Sequence, residues 1–226
     1  MILAKKLLRI VLAMFLYGLG IYFLLQANIG LSPWEAFNDG SSRALHISYG
    51  NFVLISGFVI LLIDVLLKEK IGLGTVINAI LIGKVVDLLR AIQLMPLVRH
   101  FPIGVAVLLL GQFFICFATY LYISAGLGSG PRDSLMVALG KRLPRVPIGL
   151  VRGLLEGTVL LIGWLLGAKV GLGTVIAVLS ISLIMQFTFR LTRFQVREVR
   201  HQSIMETLRS IRNHTPALSK KSRRSE

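Results

Sequence analysis

The chain has 226 residues, of which 55% are apolar and only 15% charged, with a formal net charge of +15 and a mean hydropathy of +0.78. A water-soluble domain of this size cannot hide so much apolar surface, because most of its helices need one wet face, so the composition excludes that class. One cysteine, Cys116, excludes a disulfide within the chain, and four scattered histidines (His46, His100, His201, His214) offer no metal set.

Six stretches are predicted to cross a hydrocarbon core of about 30 Å. The first, Leu7–Ala27, follows Lys5-Lys6 and could pass for a signal peptide. No small-x-small cleavage site follows it, so an uncleaved first helix is expected. A semi-polar segment comes next, Ser32-Pro33-Trp34-Glu35 and onward to Ser48. Serine, proline at the first helical position and glutamate three residues after the serine form a capping box. The favoured reading is a short amphipathic helix lying at the membrane interface, with Trp34 at headgroup level. The alternative is a re-entrant half-helix whose first amides open into a central cavity.

The second span, Asn51–Leu67, carries Asp64 one turn before Lys68, where it is expected only to snorkel. Gly72-Leu73-Gly74-Thr75 then reads as a tight turn into a capped helix, in preference to a ligand-binding opening. The third span, Leu73–Leu89, holds Lys84 and Asp87 three residues apart, close enough to pair. After the fourth, Ile103–Ala125, the run Gly126-Leu127-Gly128-Ser129-Gly130 lacks both the preceding strand and the lysine of a nucleotide loop. Gly130-Pro131-Arg132-Asp133 starts a second short helix. In the fifth span, Ile148–Leu166, Arg152 and Glu156 can pair, and Gly149, Gly153 and Gly157 form a stripe expected to pack against another helix. The sixth, Leu172–Leu191, opens on a second Gly-Leu-Gly-Thr containing Thr174. From Phe194 onward the chain is basic, with apolar residues at helical spacing, and reads as a tail on anionic inner-leaflet lipids.

The chain repeats itself. Gly72–Ile77 returns unchanged as Gly171–Ile176 at an offset of 99, and Gly30–Glu35 aligns with Gly128–Asp133 at an offset of 98. The expected fold is therefore an all-α membrane protein, with six transmembrane helices as two inverted three-span repeats, each carrying a short Pro-capped helix after its first span. The repeats cover 1–92 and 93–193, and 194–226 is a basic cytoplasmic tail. The equivalents Leu183 of Lys84, Gln186 of Asp87 and Gly57 of Glu156 differ in charge, which suits one polar site better than two copies. With the N-terminus cytoplasmic, nineteen Lys and Arg residues fall inside, four outside and two within spans. That bias predicts cytoplasmic termini in a bacterial inner membrane.

The Gly-x-x-Pro-Trp-Glu block, the Gly-x-Gly-Pro-Arg-Asp-Ser-Leu-Met block at Gly128–Met136 and the duplicated Gly-Leu-Gly-Thr resemble the YczE/YyaS/YitT-like bacterial integral membrane proteins. Glu35 stands where the resemblance would place an aspartate. The resemblance covers about Leu16 to Phe187 and implies a multi-pass inner-membrane protein whose family has a poorly defined activity. Ionisable residues within spans are the usual functional candidates. The expected function is a small transporter or permease with no cofactor and no enzymatic chemistry. Its pathway would draw on Ser32, Glu35, Thr75, Lys84, Asp87, Asp133, Arg152, Glu156 and Thr174. The alternatives are packing pairs that only fix helix register, and a non-transporting scaffold for a partner.

Overall fold

The computed structural model describes residues 2–69, 71–128 and 130–194. Lys70, Ser129 and the basic tail after Phe194, with its expected lipid-surface helix, lie outside the described residues. Eight helices run through the described residues: α1 Ile2–Ala27, α2 Pro33–Ala44, α3 Tyr49–Leu66, α4 Leu73–Ala91, α5 Phe101–Ala125, α6 Pro131–Arg142, α7 Ile148–Leu165 and α8 Leu172–Leu191. No strand occurs among the described residues. Five of these helices, α1, α3, α5, α7 and α8, are long and apolar enough to cross a membrane. The helix α4 has 19 residues but carries Lys84, Asp87 and Arg90, which sets it apart from those five.

The helix starts follow local chemistry. Proline occupies the first turn of α2 and α6, where a missing N–H costs nothing. Ser48 caps α3 by accepting from the Asn51 amide at 3.1 Å. In α4 and α8 the hydroxyls of Thr75 and Thr174 accept from the amides of Gly72 and Gly171, both at 3.3 Å. The two Gly-Leu-Gly-Thr segments are thus capped helix starts at tight turns. Ser32 behaves otherwise than a capping box requires: it makes no side-chain cap, and its hydroxyl donates to the Glu35 carboxylate.

α1 and α5 form the central pair. A Cβ on Gly20 would lie 2.5 Å from the Gly111 carbonyl oxygen, so only glycine allows this backbone approach. Ile10, Met14, Ile21, Leu24, Ile115 and Leu121 bury the core around the pair. α4 packs on α1 and on α3, and α8 packs on α5. The short helices fill the space between: α2 lies on α7 and α3, and α6 on α3 and α7. α2 is buried on most of its faces, with Glu35, Asn38, Asp39, Ser41 and Ser42 all inside. An amphipathic helix with one exposed polar face would not look like this. Glu35, Asn38 and Asp39 are inside because they meet Arg132, Ser56 and Arg90 of other helices.

Two main-chain hydrogen bonds tie early segments to late ones. The Gly74 amide donates to the Leu127 carbonyl at 2.8 Å, and the Gly173 amide to the Ile29 carbonyl at 3.0 Å. Beside them Gly30 and Gly128 take φ values of 132° and 127°, a region open to glycine and few other residues.

The glycine stripe of α7 is a correction to the expected packing. A Cβ on Gly149, Gly153 or Gly157 would meet nothing within 4 Å. α7 packs through Gly163 on Ala36 and Phe37 of α2, and this contact leaves the stripe facing open space.

Candidate functional site

Side chains from the first turns of α2 and α6 meet, and the contact joins the two matching Gly-x-x-Pro blocks. Arg132, from Pro-Arg-Asp, places Nη1 3.1 Å from Oε1 of Glu35, from Pro-Trp-Glu. The same guanidinium lies 4.7 Å from the centroid of the Trp34 ring. Glu35 is almost wholly buried and also accepts from Ser32, so its charge is matched on two sides. Asp133 accepts from the Tyr122 hydroxyl at 3.1 Å.

These groups border a cavity of about 240 Å³ to which all eight helices contribute side chains. Its polar side carries Glu35, Arg132, Asp133, Arg152 and Glu156, and much of the remainder is apolar, including Ile21, Val53, Ile82 and Ile115. Neither short helix has a side-chain cap, and both N-terminal turns line the cavity, so the positive ends of two helix dipoles meet there. Asp133 is exposed to the cavity although protein encloses it. That enclosure pushes its carboxyl above the ordinary carboxylate range, against the Tyr122 hydrogen bond and the neighbouring Arg152 and Arg132.

A family model described as a family of unknown function (DUF6198) matches residues 4–190. The chain belongs to this family. Its relatives include an uncharacterized protein of Haemophilus influenzae, 34% identical over 77% of this chain and 79% of that protein. Another is the uncharacterized membrane protein YczE of Bacillus subtilis, 30% identical over 71% of this chain and 74% of that protein. No solved structure matches the chain. The family and the five long apolar helices together make this an integral membrane protein, and Leu66, Trp164, Leu165 and Leu179 are among its exposed large apolar side chains.

Of the candidate residues in this family member, Ser32, Glu35, Asp133, Arg152 and Glu156 meet at the cavity. Arg152 and Glu156 pair at 2.8 Å, as their spacing predicts. Thr75 and Thr174 are buried in their caps, away from the cavity. Lys84 and Asp87 do not pair with each other. Asp87 accepts from the Ser48 hydroxyl at 2.6 Å and the Gly50 amide at 2.8 Å, while Lys84 donates to Asn51 at 2.9 Å. The start of α3 offers better partners than a neighbour three residues away. Asp64 does not snorkel: it is fully buried, and neither carboxylate oxygen has a hydrogen-bond partner.

The charged Arg132 and the neutral polar lining, including Ser56, Asn78 and Gln112, were not among the expected pathway residues. Gln112 donates to the Ala177 carbonyl at 2.7 Å and accepts from Ser180 at 2.6 Å, fixing α8 to α5. A glutamine in the middle of a 25-residue apolar helix was the available signal. Among the described residues no His, Cys, Asp and Glu side chains cluster as a metal site would need.

Proposed function

We propose that the protein is a small transporter or permease of the bacterial cytoplasmic membrane, and that the central cavity holds its solute. The cavity carries this reading: residues of both halves of the chain build one central space, with charges of both signs and two helix N-termini on its wall. We further propose that α4 is the sixth span and that the halves are inverted repeats with both termini cytoplasmic. Four matches support this. The helices pair off in length, α1 to α4 having 26, 12, 18 and 19 residues and α5 to α8 having 25, 12, 18 and 20. Gly30 and Gly128 share a φ value, and so do Asn28 and Gly126, at 58° and 69°. The two crossing hydrogen bonds join equivalent residues in reverse. Contacts of α2 with α7 are mirrored by those of α6 with α3. Binding and passage, not covalent chemistry, are the roles assigned to these residues.

The scaffold reading draws on one observation, the uncovered Gly149, Gly153 and Gly157 stripe on which a partner helix could lie. Thiol accessibility separates the two. In a Cys116→Ala background, single cysteines at Ser56, Asn78 and Met136 would be treated with a membrane-impermeant thiol reagent in intact cells and in inverted vesicles. Transport requires all three to react from water on at least one side. A cavity that reacts from neither side overturns transport and leaves the scaffold.

A further inference from the structure

The cavity has two possible mouths, one between α3 and α4 and the other between α7 and α8. In the first, a Cβ on Gly83 would lie 2.5 Å from the Gly50 carbonyl oxygen, so the two backbones touch. Polar contacts hold that end shut. Asp87 of α4 is bound by Ser48 and Gly50 at the start of α3, and Lys84 by Asn51. Arg90 lies 3.3 Å from the buried Asp39 of α2 and 5.3 Å from the centroid of the Tyr49 ring. Three helices are thereby pinned together at one end.

The repeat register identifies the equivalent residues of the other mouth. At an offset of 99, Gly50 and Gly83 become Gly149 and Ser182, while Lys84, Asp87 and Arg90 become Leu183, Gln186 and Phe189. Asp39 becomes Val137 at an offset of 98. None of these replacements carries charge. Gly149 has nothing near it, and Leu183 is 68% exposed. α7 and α8 form no packed seam, yet Arg152 and Glu156 on one and Val178 and Met185 on the other still line the cavity. The cavity therefore reaches the gap between them.

We propose that Asp39, Asp87, Lys84 and Arg90 form a polar latch that closes one mouth, and that the α7–α8 gap is the opposite mouth in its open position. This inference rests on the transporter reading. In the other half of the cycle α7 packs on α8 as α3 now packs on α4, with Gly149 against Ser182, and the latch parts. Two small residues at those positions are what such a close approach requires. With no charged counterpart at the second mouth, the latch biases the protein toward the state seen here.

The test uses the full-length protein in membranes, with Cys116→Ala throughout. In a Leu150→Cys, Leu183→Cys double variant, placed at the equivalents of the touching Asn51 and Lys84 so that Gly149 and Ser182 stay small, oxidative cross-linking is slow while the latch holds. Asp87→Asn should raise its rate roughly tenfold, as for the loss of one charge-assisted hydrogen bond. Arg90→Gln should act in the same direction and serves if Asp87→Asn does not reach the membrane. The reciprocal measurement is Ser56→Cys labelling. It should come only from the α7–α8 side with the latch intact, and also from the other side once the latch is removed. A Ser56 cysteine labelled from one side and unmoved by either latch variant overturns the latch while leaving a water-filled site. So does a cross-linking rate that neither variant changes. Failure of every cavity cysteine to react from either side would instead overturn the transporter reading beneath it.

Discussion

The α3–α4 seam and the α7–α8 gap contain matching residues 99 positions apart and have opposite fates. Both begin with a glycine in the first turn of an 18-residue helix. Gly50 is pressed against the Gly83 carbonyl, whereas Gly149 touches nothing. The two regions differ in charge at Asp39, Lys84, Asp87 and Arg90, whose counterparts Val137, Leu183, Gln186 and Phe189 are uncharged. On the proposed latch, similar helix pairs allow both arrangements, and the side chains at the helix ends select between them.

The strongest challenge to this contrast is one substitution made at both equivalents. Gly50→Ala forces a Cβ into the Gly83 backbone and is expected to cost about 2–3 kcal/mol, the upper range for overpacking. Gly149→Ala meets no atom and should change stability by roughly 0.5 kcal/mol or less, in the favourable direction. Thermal unfolding in detergent reads both, and equal losses would mean that α7 is already covered in the membrane.

The two glutamates of the cavity sharpen the contrast further. Glu35 has a side chain 7% exposed and pairs across the halves with Arg132, so Glu35→Gln should cost about 2–3 kcal/mol, somewhat less than for a wholly buried pair. Glu156 pairs within one helix with an arginine that is 54% exposed, and Glu156→Gln should cost about 0.5 kcal/mol or less. A double-mutant cycle for each pair checks the ranking.

The smallest effect expected is one of pH. Enclosure raises the Asp133 carboxyl, so the fold favours its protonated form. That contribution is fully present below the pKa of the unfolded carboxylate and is lost as pH rises through the raised folded value. Asp133→Asn should therefore match the parent at low pH and exceed it at neutral pH. Unfolding followed at both pH values tests the sign.

Much of this architecture was legible in the residues. Runs of apolar sequence marked the long helices, and proline with a following acid marked α2 and α6, since both signals act over a few residues. The meeting of Glu35 with Arg132 was only hinted at by the aligned blocks, because distance between repeats is a tertiary fact. Lys84 and Asp87 misled for a related reason. Spacing shows that two charges can reach each other, but not that Asn51, Ser48 and the Gly50 amide compete for them. The glycine stripe misled because small residues permit close packing without supplying the partner. Asp39 and Arg90 gave a usable sign, as their repeat equivalents Val137 and Phe189 are apolar.

The crossing hydrogen bonds also bear on how the protein is made. The first turn of α4 is completed by the Leu127 carbonyl, which is synthesised more than fifty residues later, and Ile29 waits for Gly173. α1 precedes α5 in the chain and has its largest contact with it. Until α5 and Leu127 are made, the first Gly-Leu-Gly turn is unsealed and the main packing face of α1 is bare. Closure of the bundle is a late event in synthesis, and two separately made halves would have to find each other before either was finished.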